Sequence, residues 1–176
     1  MKGRVDEPRV RLADALDALV IRIGQVVAWA NVILVVAIIV QVVLRYGFGI
    51  GQVKLEEFQW HLYALAVMIG VSYAQATDSH IRVDVIAARL SERTIRAWEV
   101  FGILVFALPF IFVVFYHSLE FAAEAWRLNE HSDAPLGLPW RWAIKSVIPT
   151  SFALLGLAVL ARLMRDVVAL LGKSSP

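Results

Sequence analysis

The chain has no cysteine among its 176 residues. Disulfides, thiolate metal sites and cysteine nucleophiles are therefore excluded, although the absence fixes no redox compartment. Charge is also scarce, since 18% of the residues are Asp, Glu, Lys or Arg, where soluble domains carry roughly 25%. No Pro-, Gly- or Ser-rich linker divides the chain and no internal repeat occurs, so one domain is expected over 1–176. There is no P-loop, no Gly-rich dinucleotide motif, no HExxH and no nucleophile elbow. Adjacent Glu56 and Glu57 diverge by ~100° on a helix and make a poor acid–base pair. No enzyme is expected.

What is present is apolar. Hydrophobic residues make up 60% of the chain, and four stretches, 23–44, 58–77, 97–116 and 142–164, are each about long enough to cross a bilayer. At ~1.5 Å rise per residue, ~20 helical residues match a hydrocarbon core of ~30 Å. The run 32–40 has no polar face at helical spacing, which argues against a soluble bundle. The expected fold is an all-α integral membrane protein with four transmembrane helices and amphipathic interfacial segments. The basic start, Lys2, Arg4, Arg9 and Arg11, superficially resembles a signal peptide. The following apolar run is too long for one and has no small-residue cleavage site, so it reads as a retained first span.

Charge sets the orientation. Twelve Lys and Arg fall before the first span, between the second and third, or after the fourth; five fall on the other side, completing the chain's 17. The positive-inside rule then places both termini in the cytoplasm. The basic pI comes from these rims, and no nucleic-acid partner is needed to explain it. The outer side carries Glu56, Glu57, Glu120, Glu124, Glu130 and Asp133, with Trp60, Trp126, Trp140 and Trp142 where an interfacial belt belongs.

Individual segments add detail. The arm with Leu12, Leu16, Leu19 and Ile23 on one face either lies along the inner surface or extends the first helix. Ala66, Gly70 and Ala74 form a small-residue stripe that would let another helix approach, unless it is a chance product of composition. The 83–96 segment reads as a basic amphipathic helix, in the plane of the inner leaflet or leading into the third span. Pro109 should kink the third span, which can continue past the membrane through Glu120, Glu124 and Trp126. Residues 132–140, with Pro135, Gly137 and Pro139, must be a loop, and Pro149 bends the last helix.

The deep parts of the spans lack the ionisable groups of an ion-moving transporter. Lys145, near the outer end, either clamps to Glu56 or Glu57 or remains a separate solvated charge. His61 and His117, at similar depth on two helices, could ligate a haem axially. A haem-b electron-transfer subunit is thus one alternative, against two ordinary interfacial histidines. An independent four-helix exporter is a further alternative, disfavoured by the missing deep carboxylate.

Three ordered blocks carry a family resemblance: Gln41-Val-Val-Leu-Arg-Tyr-Gly-Phe48; Glu56-Glu57-Phe-Gln-Trp-His61 through Gly70 and Tyr73 to His80-Ile-Arg-Val-Asp84; and Ser132-Asp-Ala-Pro-Leu-Gly-Leu-Pro-Trp-Arg-Trp142, followed by Lys145 and Pro149. In these the chain resembles the small permease subunit of tripartite ATP-independent periplasmic (TRAP) transporters, with Lys54 where that family usually has Trp. The resemblance implies a large membrane subunit that binds substrate and Na⁺, and a periplasmic binding protein that delivers an organic, typically carboxylate, substrate. It implies a scaffolding role for this chain in the bacterial inner membrane, with no cofactor or metal of its own. On that reading Ala66, Gly70, Ala74, Arg45, Glu56, Glu57 and Lys145 are the expected partner face. His80, Arg82 and Asp84 are expected to order the inner turn, with Arg82 near lipid phosphates.

Overall fold

The computed structural model describes residues 9–79 and 90–172. Among these residues there is no strand. Helix α1 (Arg11–Gly47) runs unbroken for 37 residues, about 55 Å at helical rise. The amphipathic arm therefore extends the first helix. Helix α2 (Val53–Ala76) follows a short turn. The third rod begins with α3 (Glu92–Gly102), which is capped by Ser91 accepting from the Thr94 amide at 3.2 Å. It continues through a π-turn (Ile103–Ala107) into α4 (Leu108–Arg127). The last rod is α5 (Arg141–Lys145) and α6 (Val147–Leu171), interrupted at Ser146.

Both interruptions trace to proline. Pro109 has no N–H for the Val105 carbonyl and crowds it. The turn before it widens, and the Leu108 amide bonds Ile103 instead. Pro149 likewise leaves the Lys145 carbonyl without its helical donor, and the helix breaks there.

Among the described residues three helices are long and apolar enough to cross a membrane: α1, the Glu92–Arg127 rod and the Arg141–Leu171 rod. Helix α2 is long enough at 24 residues but does not reach their apolarity. Gln59, His61, Tyr73 and Gln75 dilute it. Its position explains why it can be more polar, because it packs between α1 and α6. Gln59 Nε2 donates to the Ala37 carbonyl of α1 at 3.2 Å, and Ser72 Oγ donates to the Ser151 carbonyl of α6 at 2.9 Å. Polar side chains in an apolar bundle are tolerated where a neighbouring helix satisfies them.

Helix α6 is the mast of the fold. It packs on α1, α2, α3 and α4, and the core joins Val20, Ile69, Leu154 and Ala158 from α1, α2 and α6. Close approach depends on small residues. A Cβ on Gly24 would lie 2.6 Å from Cδ2 of Tyr73, so α1 and α2 meet at a glycine. Much of the remaining apolar surface of α1 and the third rod, including Val35, Ile39, Phe106 and Phe112, is exposed. A soluble fold would bury such a surface; a membrane protein turns it to lipid or to a partner.

Candidate functional site

At the end where α1 finishes and α2 begins, the loop between α4 and α5 is folded tightly. Helix α4 stops in a Schellman motif: Asn129 takes a left-handed conformation, its amide bonds Trp126, and the Glu130 amide bonds Ala125. This aims Glu130 back across the loop. The loop then closes on itself through Ser132 N–H to Leu138 O at 3.3 Å and Arg141 N–H to Glu130 O at 3.1 Å.

Glu57, in the first turns of α2, holds this loop from the side. One carboxylate oxygen accepts from the Leu138 amide at 2.5 Å and the other from the Ser132 hydroxyl. The Leu138 amide first, and the Ser132 hydroxyl second, hold the Glu57 carboxyl below its usual range. Gly137 is required here by space, since a Cβ would strike Ser132 and lie 2.9 Å from Glu57 Oε1. Beside the latch, Arg141 bonds Asp133 at 2.7 Å and approaches Glu130. Trp126 and Trp142 meet edge to face at 4.5 Å.

The expected site residues divide. Lys145 pairs with Glu130 and stands 4.0 Å from the centre of the Phe121 ring. Neither reading of Lys145 holds as stated: it is not a separate solvated charge, and no clamp to Glu56 or Glu57 forms, since Glu57 is held by the loop and Glu56 is exposed. Glu130 is nearer in the chain and is turned toward Lys145 by the helix cap. Arg45 is exposed in the last turn of α1. Ala66, Gly70 and Ala74 are half-buried, and a Cβ on Gly70 would meet nothing within 4 Å in this chain. The helix face that packs internally is instead that of Leu62, Ile69 and Ser72. His61 lines a cleft beside the loop, whereas His117 is exposed on α4 against Tyr116. Neither cleft lined by His61 includes His117. His80, Arg82 and Asp84 lie outside the described residues, as does the 83–89 half of the basic amphipathic segment.

The opposite end carries a network that sequence reading missed. Asp166 is 1% exposed and receives Arg96 Nη1 at 3.2 Å and Arg162 Nε at 3.1 Å. Arg162 also reaches Glu99 at 2.9 Å and Asp78 at 3.7 Å. Arg165 forks to Asp17 at 2.5 Å and Asp14 at 2.9 Å. Two arginines of α6 thus tie down α1, the end of α2 and the start of the third rod. Only the Arg162–Asp166 pair, at i,i+4, had a local signal in the sequence.

A family model described as tripartite ATP-independent periplasmic transporters, DctQ component, matches residues 34–169. The chain belongs to this family. It is the small membrane subunit of a TRAP transporter. No curated protein matches the chain. The DctQ match contains the whole loop-end site and the Arg162, Arg165 and Asp166 positions, while Asp14 and Asp17 lie before it.

Proposed function

We propose that this DctQ subunit is a non-catalytic scaffold that anchors the large permease of a sodium-coupled TRAP transporter. The transporter takes up an organic, carboxylate-bearing substrate delivered by a periplasmic binding protein. Four helices, α2 included, cross the bacterial inner membrane with both termini in the cytoplasm, and residues 1–176 act as one membrane domain. The loop end then faces the periplasm, and the Arg162 network lies at the cytoplasmic rim. Sodium binds in the large subunit.

The observation that carries this reading is the distribution of polar groups. The ion pairs described above gather at the two ends of the bundle. Between them the helices are joined by neutral contacts such as Ser72 to Ser151 and Gln59 to Ala37. That arrangement suits a rigid support better than an ion path, which needs ionisable groups at depth. The open Gly70 supports a partner face along Ala66, Gly70 and Ala74, flanked by Arg45 and Glu56. His80, Arg82 and Asp84 are proposed to order the inner turn against lipid headgroups.

Affinity purification of the tagged chain from native membranes in mild detergent should yield a large polytopic permease in stoichiometric amount. Gly70→Leu should leave the fold of this chain intact and reduce co-purification. Transport in proteoliposomes should require the permease and a binding protein; transport by this chain alone would overturn the scaffold reading.

A further inference from the structure

Two clefts meet at His61, beside the latched loop. The upper one is polar and is lined by Glu57, Trp60, His61, Ser132, Leu138 and Arg141. The lower one runs between α2 and the α5–α6 rod and is apolar, with walls that include Phe58, Leu62, Leu65, Ala143, Ile144 and Val147. Both include His61 and Leu138, so they form one continuous groove whose lining changes from charged to hydrocarbon along the helix axis. Phe58 and Trp140 on its rim are exposed, so the groove opens at the protein surface.

We propose that this groove seats a bilayer phospholipid, with an acyl chain along the apolar walls and the phosphate at Arg141 and His61. The change in lining from charged to apolar matches a molecule with a polar head and a hydrocarbon tail. The imidazole of His61 hydrogen-bonds none of the described residues, so its ring N–H is available at the junction. The Arg141 guanidinium spends one terminal nitrogen on Asp133, and its Nε lies 3.7 Å from Glu130, beyond hydrogen-bond reach. Its planar fork still has N–H groups for a phosphate. The Glu57 carboxylate, although both oxygens already accept from Ser132 and Leu138, keeps a negative charge at the same mouth. That charge opposes a purely anionic headgroup and favours one that also carries a positive amine. Charge of both signs at one end of an apolar groove therefore complements a zwitterionic lipid such as phosphatidylethanolamine. This inference needs only the membrane placement of the helices and is independent of the scaffold reading.

The natural lack of cysteine makes the test direct. Ala143→Cys places a single thiol on the apolar wall, and its labelling by a membrane-permeant maleimide can be timed in the purified subunit with its co-purifying partner. Phosphatidylethanolamine-containing nanodiscs should slow labelling several-fold relative to delipidated detergent. His61→Ala should restore the fast rate. Native mass spectrometry should show one retained phospholipid per chain, lost in Ala143→Phe. Equal labelling with and without the lipid would overturn the proposal. So would protection that persists after delipidation and depends on the large subunit, since the groove would then be a protein interface. Equal protection by phosphatidylglycerol alone would overturn the headgroup assignment.

Discussion

The two ends of the bundle are held by different kinds of contact. At the end where α1 begins and α6 finishes, side chains bridge helices that are far apart in sequence: Arg165 to Asp17 and Asp14, Arg162 to Glu99, Arg96 to Asp166. At the loop end, charges mostly pair with near neighbours, as Lys145 does with Glu130 and Arg141 with Asp133, and Glu57 grips backbone. The first end fixes how the helices stand relative to one another. The second fixes the shape of one loop. Damage to the first should spread through the fold, and damage to the second should stay local.

The sharpest way to break this contrast is Asp166→Leu. It leaves Arg96 and Arg162 beside an uncharged, almost fully buried site. Removing one partner of a buried ion pair costs about 3–5 kcal/mol. Thermal unfolding in detergent, followed by tryptophan fluorescence, should show a large loss of stability. A near-wild-type transition would mean that the network is solvated and structurally idle. Gly24→Leu should rank next. It forces a side chain into Tyr73 where α1 meets α2, and overpacking of this kind costs about 1–3 kcal/mol.

Ser72→Ala tests the neutral middle between the two ends. It removes the bond to Ser151, and interhelical bonds of this type contribute about 0.6–2 kcal/mol. The same unfolding assay should register a small shift. The smallest global effect is expected from Glu57→Gln, which weakens the latch while leaving helix packing in place. Hydrogen exchange at Leu138 should accelerate without a matching fall in melting temperature.

The latch also has a pH signature. Because the folded-state Glu57 carboxyl titrates below its ordinary value near 4.5, its contribution is fully present above that value. It fades as the pH falls below 4.5 and through the lower folded value. Acid should thus free the Leu138 amide before it disturbs the core. In Glu57→Gln that acid-dependent step should be absent, and its persistence would assign the step to another group.

The apolar runs and the proline effects were legible in the sequence because each depends on a few consecutive residues. The 132–140 loop and the consequences of Pro109 and Pro149 belong to this kind. Pairings across the bundle were not legible. Asp17 and Arg165 are 148 positions apart, and nothing local announces their contact. Lys145 shows the same limit: depth in the sequence offered Glu56 or Glu57, whereas the cap at Asn129 turns Glu130 to it instead. The small-residue stripe of Ala66, Gly70 and Ala74 stands out in the sequence because it repeats, yet the tight contact between α1 and α2 uses the solitary Gly24. Helix α2 is less apolar than its neighbours for a reason visible only in three dimensions, since its polar side chains bond to the helices on either side.

The central position of α6 has a consequence for biogenesis. Helices α1 and α2 can pair as a hairpin as soon as both have left the ribosome, because their seam involves no later residue. Among the described residues the Glu92–Arg127 rod shares no extended seam with either of them and is seated on α5 and α6. During synthesis it therefore gains this seat only when α5 and α6 follow. Arg162 and Arg165 enter with α6 and tie Asp14, Asp17 and Asp78 on one side to Glu99 of the third rod on the other. A nascent chain cut off before α6 would leave two parts with no packed seam between them, exposed to membrane quality control.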